Sequence, residues 1–324
     1  MSGNMSMNDG VERDEEGYSS SDTEMNVRMV PLFNREESMF FLDLIGGEFK
    51  INKNSIFIED AINQHQDDTG NRTWDGSIVL CKALEKTYAR SDENESKLFS
   101  LHLKNLNVLE LGSGTGILSI AASYLGARNS YGTDLKYCLP LLSHNLKLNH
   151  NVLKDKSIHI MELDWFWFLD EKEDHNNNSC TSITNIVNNN NNNVTKNNED
   201  HNTLAKRQLL RDEILSISID VILAADVVWQ EKLLVPFLST ISMLLRNSKS
   251  SNTTVSQKDD AFGDISLSPT KKCILLYTDR YKNLKSKLIE ELENFNLKYY
   301  FHDYNTAFHE EFRDESMSII TIYL

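Results

Sequence analysis

Residues 108–117 read Val-Leu-Glu-Leu-Gly-Ser-Gly-Thr-Gly-Ile, and this stretch decides the fold. Asn107–Leu111 is a short β-rich apolar run, and residues 115–125 (TGILSIAASYL) place apolar side chains at helical spacing. A strand therefore passes through Gly112, Ser113, Gly114 and Gly116 directly into a helix. Glycines here let the chain turn sharply and bring backbone against a ligand with no Cβ in between. The spacing is G-x-G-x-G. The dinucleotide fingerprint needs a glycine where Ile117 stands, which disfavours an NAD oxidoreductase. Asp134 closes the next strand, 20 residues after Gly114, where a carboxylate accepts both hydroxyls of a ribose. Loop and acid together suit a nucleoside whose sulfonium or sugar, rather than a pyrophosphate, passes over the glycines.

Working outward, strands and helices alternate. Residues 129–133 and 157–161 read as strands around a helix at 137–148, and residues 219–225 (IDVILAA) form the continuous apolar run of a strand buried on both faces. A helix at 232–245, a strand at Lys272–Thr278 and an amphipathic helix at 282–295 follow. Two strands, 297–303 and 316–324, are joined without a helix and are expected to pair as a hairpin. The series implies an α/β fold with a doubly wound, mostly parallel sheet containing one antiparallel strand. Ahead of it, residues 39–45 and 48–58 read as a β-hairpin turning at Gly46-Gly47. The expected division is a disordered acidic tail at 1–28, a β extension at 29–68 and a catalytic-type domain at 69–324. Within that domain, 171–206 contains six consecutive Asn at 188–193 and 248–270 is rich in Ser and Asp, so both read as unstructured insertions.

With 33 basic and 48 acidic residues the net charge is −15, which disfavours loose binding to nucleic-acid phosphate and favours basic partners. No apolar run approaches the roughly 18 residues of a membrane span. The N-terminal residues have no basic and apolar leader pattern, and Cys81, Cys138, Cys180 and Cys273 are scattered without metal-ligand spacing. The expectation is a reduced monomer of cytosol or nucleus with no metal site.

On its motifs the chain resembles the seven-strand class I methyltransferases that use S-adenosylmethionine, and more narrowly the family-16 lysine methyltransferases. Thr69-Gly70-Asn-Arg-Thr-Trp74-Asp75 resembles the family's TG…VWD segment, and Glu110 with the glycines resembles its first cofactor motif. Leu163-Asp164-Trp165 and Ala224-Ala225-Asp226-Val-Val-Trp229 resemble the motifs after the third and fourth strands, and the LDW element with the long insertion is similar to the methyltransferase-like 22 branch. The resemblance implies a Rossmann-like seven-stranded sheet, S-adenosylmethionine as cofactor, and a lysine of a protein partner as acceptor. It assigns Trp74 to the methionyl end, where a sulfonium favours an aromatic face. Trp165 is assigned to the adenine face, Asp164 to its amino group, and Ala225 to close backbone approach. Asp226 and Trp229 are implied at the acceptor. Trp229 departs from the usual Tyr or Phe, so a cofactor-binding scaffold without turnover stays open, as does a small-molecule methyltransferase. The residues after this strand are Ala-Asp-Val-Val-Trp, without the prolines that amino-methylating nucleic-acid enzymes place there.

Overall fold

The computed structural model describes residues 28–31, 49–62, 69–89, 100–151, 153–169, 201–247, 271–281 and 283–324. Two small antiparallel pairs precede the main sheet: β1 (Arg28–Pro31) with β4 (Glu59–Ile62), and β2 (Phe49–Ile51) with β3 (Asn54–Ile56). Helix α1 (Asp75–Ala89) leads into β5 (Asn107–Leu111), α2 (Ile117–Tyr124), β6 (Asn129–Asp134), α3 (Leu139–Leu148) and β7 (Ser157–Glu162). After α4 (His201–Ser216) come β8 (Val221–Ala225), α5 (Leu234–Arg246), β9 (Lys272–Thr278), α6 (Leu284–Asn294), β10 (Lys298–Phe301), a four-residue helix α7 (Tyr304–Ala307) and β11 (Met317–Tyr323).

The seven-stranded sheet has the order β10-β11-β9-β8-β5-β6-β7, and β11 alone runs antiparallel to its neighbours. Its central strands are buried along their whole length, which is why they read as continuous apolar runs. Successive side chains alternate faces. Val108, Leu223, Ile274 and Ile319 pack with α1 and α2, while Leu109, Ile222, Leu275 and Ile320 pack with α5 and α6. Phe237 of α5 is fully buried on the second face, and each such side chain contributes about 1.5–3 kcal/mol by leaving water. The chain winds outward from β5 through β6 to β7, then returns to place β8 on β5's other side. The carboxyl ends of β5 and β8 thus flank a topological switch point, where open α/β sheets bind ligands.

Four points differ from the sequence expectation. The expected single strand at 48–58 is instead the tight β2–β3 hairpin, turning at Asn52 and Lys53 with φ of 49° and 65°. Two successive left-handed residues match the twist of a two-residue hairpin turn, and this outweighs the apolar continuity of the run. Its expected partner at 39–45 and the Gly46-Gly47 turn lie outside the described residues, while Arg28, assigned to the tail, opens β1. The insertion expected over 171–206 ends earlier, because 201–206 begin α4. From Leu204 onward that helix is made mostly of Leu, Ala, Lys, Arg, Gln and Glu, whose intrinsic helical preference outlasts the polar composition. It docks through buried Ile214, through Arg211 donating to the Trp167 carbonyl at 3.1 Å, and through the same guanidinium 5.0 Å from the Phe168 ring centroid. Finally, β10 and β11 pair as expected, but their connection contains α7, whose first turn is capped by the Asp303 carboxylate. The remainder of both insertions, 171–200 and 248–270, lies outside the described residues.

Candidate functional site

Strand β5 carries the chain into Gly112 and Gly114 at φ of +70° and +51°, a region that L side chains enter only with strain. A Cβ on Gly112 would stand 2.7 Å from Val227 Cγ1, and one on Gly114 would stand 3.0 Å from the Gly70 carbonyl oxygen. The Gly114 N–H donates to Asp134 Oδ2 at 2.7 Å, and the Leu135 N–H donates to Oδ1 at 2.7 Å. The end of β6 is therefore tied across the glycine loop with its carboxylate at the switch point. Burial raises the Asp134 pKa, against the pull of those two N–H groups. Behind the loop, Glu110 is 2% exposed and accepts the Ser119 hydroxyl of α2, and burial pushes its carboxyl up to about 8.

A second layer lies over the glycines. Residues Thr69–Asn71 form a 3-10 turn, and the following Thr73 donates its N–H and its hydroxyl to Asp60 Oδ1, both at 2.8 Å. Thr73 also shares a 2.8 Å hydroxyl contact with Thr115, so β4 and the glycine loop clamp this segment between them. Asn145 of α3 adds to the clamp by donating to the carbonyls of Glu59 and Thr115. Trp74 is fixed by its indole N–H, which donates to the Thr69 carbonyl at 3.0 Å.

Asp226, the residue after β8, takes φ +57°, which an Asp tolerates better than most side chains. Its carboxylate is 1% exposed and fully engaged. Oδ2 accepts the Gly76 N–H of α1 at 2.8 Å and faces Arg280 Nη2 at 3.0 Å, while Oδ1 accepts the Thr278 hydroxyl. A Cβ on Gly76 would sit 2.5 Å from Oδ2, so only glycine lets the helix reach the acid this closely. The Arg280 guanidinium also lies 5.1 Å from the Trp74 ring centroid, and Arg72 lies 5.5 Å from it. Sequence reasoning missed Arg280. Its one signal was a basic residue just past β9, the strand that pairs with β8.

These elements enclose a cavity of about 460 Å³. Nine of the twelve residues picked out from sequence line it: Trp74, Gly112, Gly114, Asp134, Asp164, Trp165, Ala225, Asp226 and Trp229. Glu110, Ser113 and Gly116 are not among the lining residues. Glu110 and Ser113 are buried behind the wall, and Gly116 opens α2 at φ +86°. Trp165 begins a 3-10 turn and is braced by Phe237 at 5.2 Å between ring centroids, while Phe168 of the same turn enters the core. Asp164 caps that turn by accepting the Phe166 N–H at 3.0 Å. Leu135, Tyr137, Phe166, Lys232 and Leu233 also line the wall without having been foreseen; Tyr137 is 42% exposed and Phe166 48%. Asp134 and Asp164 stand on the wall with Lys232, while the Asp226 charge is paired with Arg280. Among the described residues no group of three or more His, Cys, Asp or Glu is placed to hold a metal ion.

Residues 52–179 match the family model described as lysine methyltransferase. Over 113 residues the chain is 34% identical to the protein-lysine methyltransferase METTL21E of Bos taurus, covering 35% of each chain. Over 97 residues it is 35% identical to the protein N-lysine methyltransferase METTL21A of Danio rerio, covering 30% of this chain and 38% of that one. The chain thus spans little more than a third of the length of these curated relatives. A ribosomal protein L11 methylase from Lactobacillus delbrueckii subsp. bulgaricus is similar at 16% identity with a TM-score of 0.36, covering 74% of this chain and 75% of that one.

Proposed function

We propose that this chain is an S-adenosylmethionine-dependent protein-lysine N-methyltransferase. The observation that carries the reading is one cavity whose wall joins the glycine backbone, Asp134, Asp164 and Trp165 with Trp74, Asp226 and Trp229. The residues fit S-adenosylmethionine. Asp134 is a half-buried carboxylate on the cavity wall suited to the ribose hydroxyls, and Trp165 presents an aromatic ring for adenine. When bound, that group supplies an activated methyl carbon, and a thioether remains after transfer.

The chain's own residues do the rest. A lysine nitrogen must lose its proton before its lone pair can attack, and a nearby carboxylate by itself would hold the proton on. Asp226 therefore serves to orient rather than to deprotonate, and burial beside the positively charged cofactor lowers the amine's pKa. Trp74 and Trp229 wall the acceptor end and exclude water. Alignment matters because misplacement by about 1 Å can cost on the order of 100-fold in rate. The net charge of −15 supports a protein partner with a basic surface. Cys81, Cys138 and Cys273, buried and in no disulfide among the described residues, support residence in cytosol or nucleus.

The test is transfer of a tritiated methyl group from S-adenosylmethionine into a cell lysate, followed by mass spectrometry of the labelled protein. Label on lysine that disappears with Asp134→Ala supports the reading. The full engagement of Asp226 by Gly76, Thr278 and Arg280 favours a second reading, a cofactor-binding scaffold. That reading would be upheld by tight cofactor binding with no labelled protein.

A further inference from the structure

Arg280 stands where an acceptor cation is expected to stand. Its guanidinium is 3.0 Å from Asp226 Oδ2 and 5.1 Å from the Trp74 ring centroid, so one side chain occupies both the carboxylate and the aromatic face. An alkylammonium needs the same two surfaces. With Gly76 on Oδ2, Thr278 on Oδ1 and only 1% of the Asp226 carboxylate exposed, an incoming amine reaches that acid only by displacing Arg280. Displacement is sterically open: 34% of the Arg280 side chain is exposed, and the next residue, Tyr281, is 56% exposed. A guanidinium suits this place because it keeps its proton throughout the neutral range and its nitrogen lone pairs are delocalised. It holds the acceptor's position without competing for the methyl group.

We propose that Arg280 is a specificity-determining residue, an internal cation that closes the acceptor end to small amines and yields it to a lysine delivered by a docked protein. The proposal rests on the methyltransferase reading. Its physical basis is effective concentration. A tethered cation beside Asp226 competes at about millimolar or higher local concentration, so free lysine in solution fails to displace it. A protein substrate brings further contacts of its own, and the lysine it carries then competes intramolecularly as well. The neighbouring groove lined by Trp229, Glu231, Tyr281 and Lys287 opens beside Arg280 and offers a surface for those contacts.

The test compares wild type, Arg280→Ala and Arg280→Met, each saturated with S-adenosylhomocysteine, in a titration with n-butylammonium read by tryptophan fluorescence. The methionine variant keeps an unbranched side chain against Trp74, which separates loss of charge from loss of packing. Melting temperature and S-adenosylhomocysteine affinity confirm that each variant is folded. The expected result is at least about tenfold tighter n-butylammonium binding in both variants than in wild type. In parallel, free lysine should be labelled from tritiated S-adenosylmethionine by the variants and not by wild type. Equal n-butylammonium affinity in wild type and both folded variants would overturn the proposal, as would weaker binding in the variants. If no form labels any amine, the methyltransferase reading fails, and the fluorescence titration still decides whether Arg280 excludes small cations.

Discussion

Glu110→Gln offers a sharp physical test of how the glycine loop is supported. Glu110 lies at 2% exposure on the central strand, accepts a hydrogen bond from Ser119, and has its carboxyl pushed by burial from 4.5 to about 8. Folding therefore takes up a proton at this residue between those two pH values. With the folded pKa above the unfolded one, the stabilisation is complete below pH 4.5 and is lost as pH rises through about 8. At about 1.4 kcal/mol per tenfold change in proton concentration, about 3 kcal/mol should disappear between pH 5.5 and pH 8.5. A glutamine carries the donor and acceptor of the protonated acid and never ionises, so Glu110→Gln should lack this loss. The assay is urea unfolding of both proteins across that range. The difference between them cancels titrating groups that do not interact with Glu110, while the Asp134 charge, which raises the Glu110 pKa, is part of the shift being measured. Wild type should lose about 3 kcal/mol relative to the variant as pH rises. A difference constant to within about 0.5 kcal/mol, or a wild type that gains on the variant, would refute the reasoning.

Three further outcomes are expected. Gly114→Ala should lower the unfolding free energy by about 1–2 kcal/mol in urea titrations, because a side chain is forced into left-handed backbone 3.0 Å from the Gly70 oxygen. Asp134→Ala should weaken S-adenosylmethionine binding by about 1.5–3 kcal/mol in calorimetry, through loss of a hydrogen-bonding carboxylate; an unchanged affinity would remove Asp134 from the cofactor site. His302 shares a 2.8 Å contact with the Thr321 hydroxyl, and burial lowers its pKa to about 4, so its stabilisation is present above pH 6.5 and fades as pH falls towards 4. His302→Gln should accordingly shift the acid-unfolding midpoint downwards, read by circular dichroism.

What the sequence determined on its own is what a single βαβ unit encodes. The strand–glycine–helix turn and its acid are 20 residues apart, and the Gly114–Asp134 bond closes within that span. Local periodicity placed β8 and β9 in the core, because a strand covered on both faces must be apolar throughout. The same logic misread α4, where Asn-rich composition obscured a helix whose stability comes from residue preference and few buried contacts. It gave no means of deciding that Glu110 faces inwards, since its neighbours Leu109 and Leu111 are equally buried. The cluster around Asp226 lies further out of reach. Asp226 meets Gly76 across 150 positions and Thr278 across 52, and Arg280 joins them from beyond the end of β9. Hydrophobic periodicity reports which face of an element is buried, not which two loops will meet at the sheet's carboxyl edge. That meeting follows from the order of the strands, and only the folded chain decides that a basic residue after β9 rests on the acid after β8.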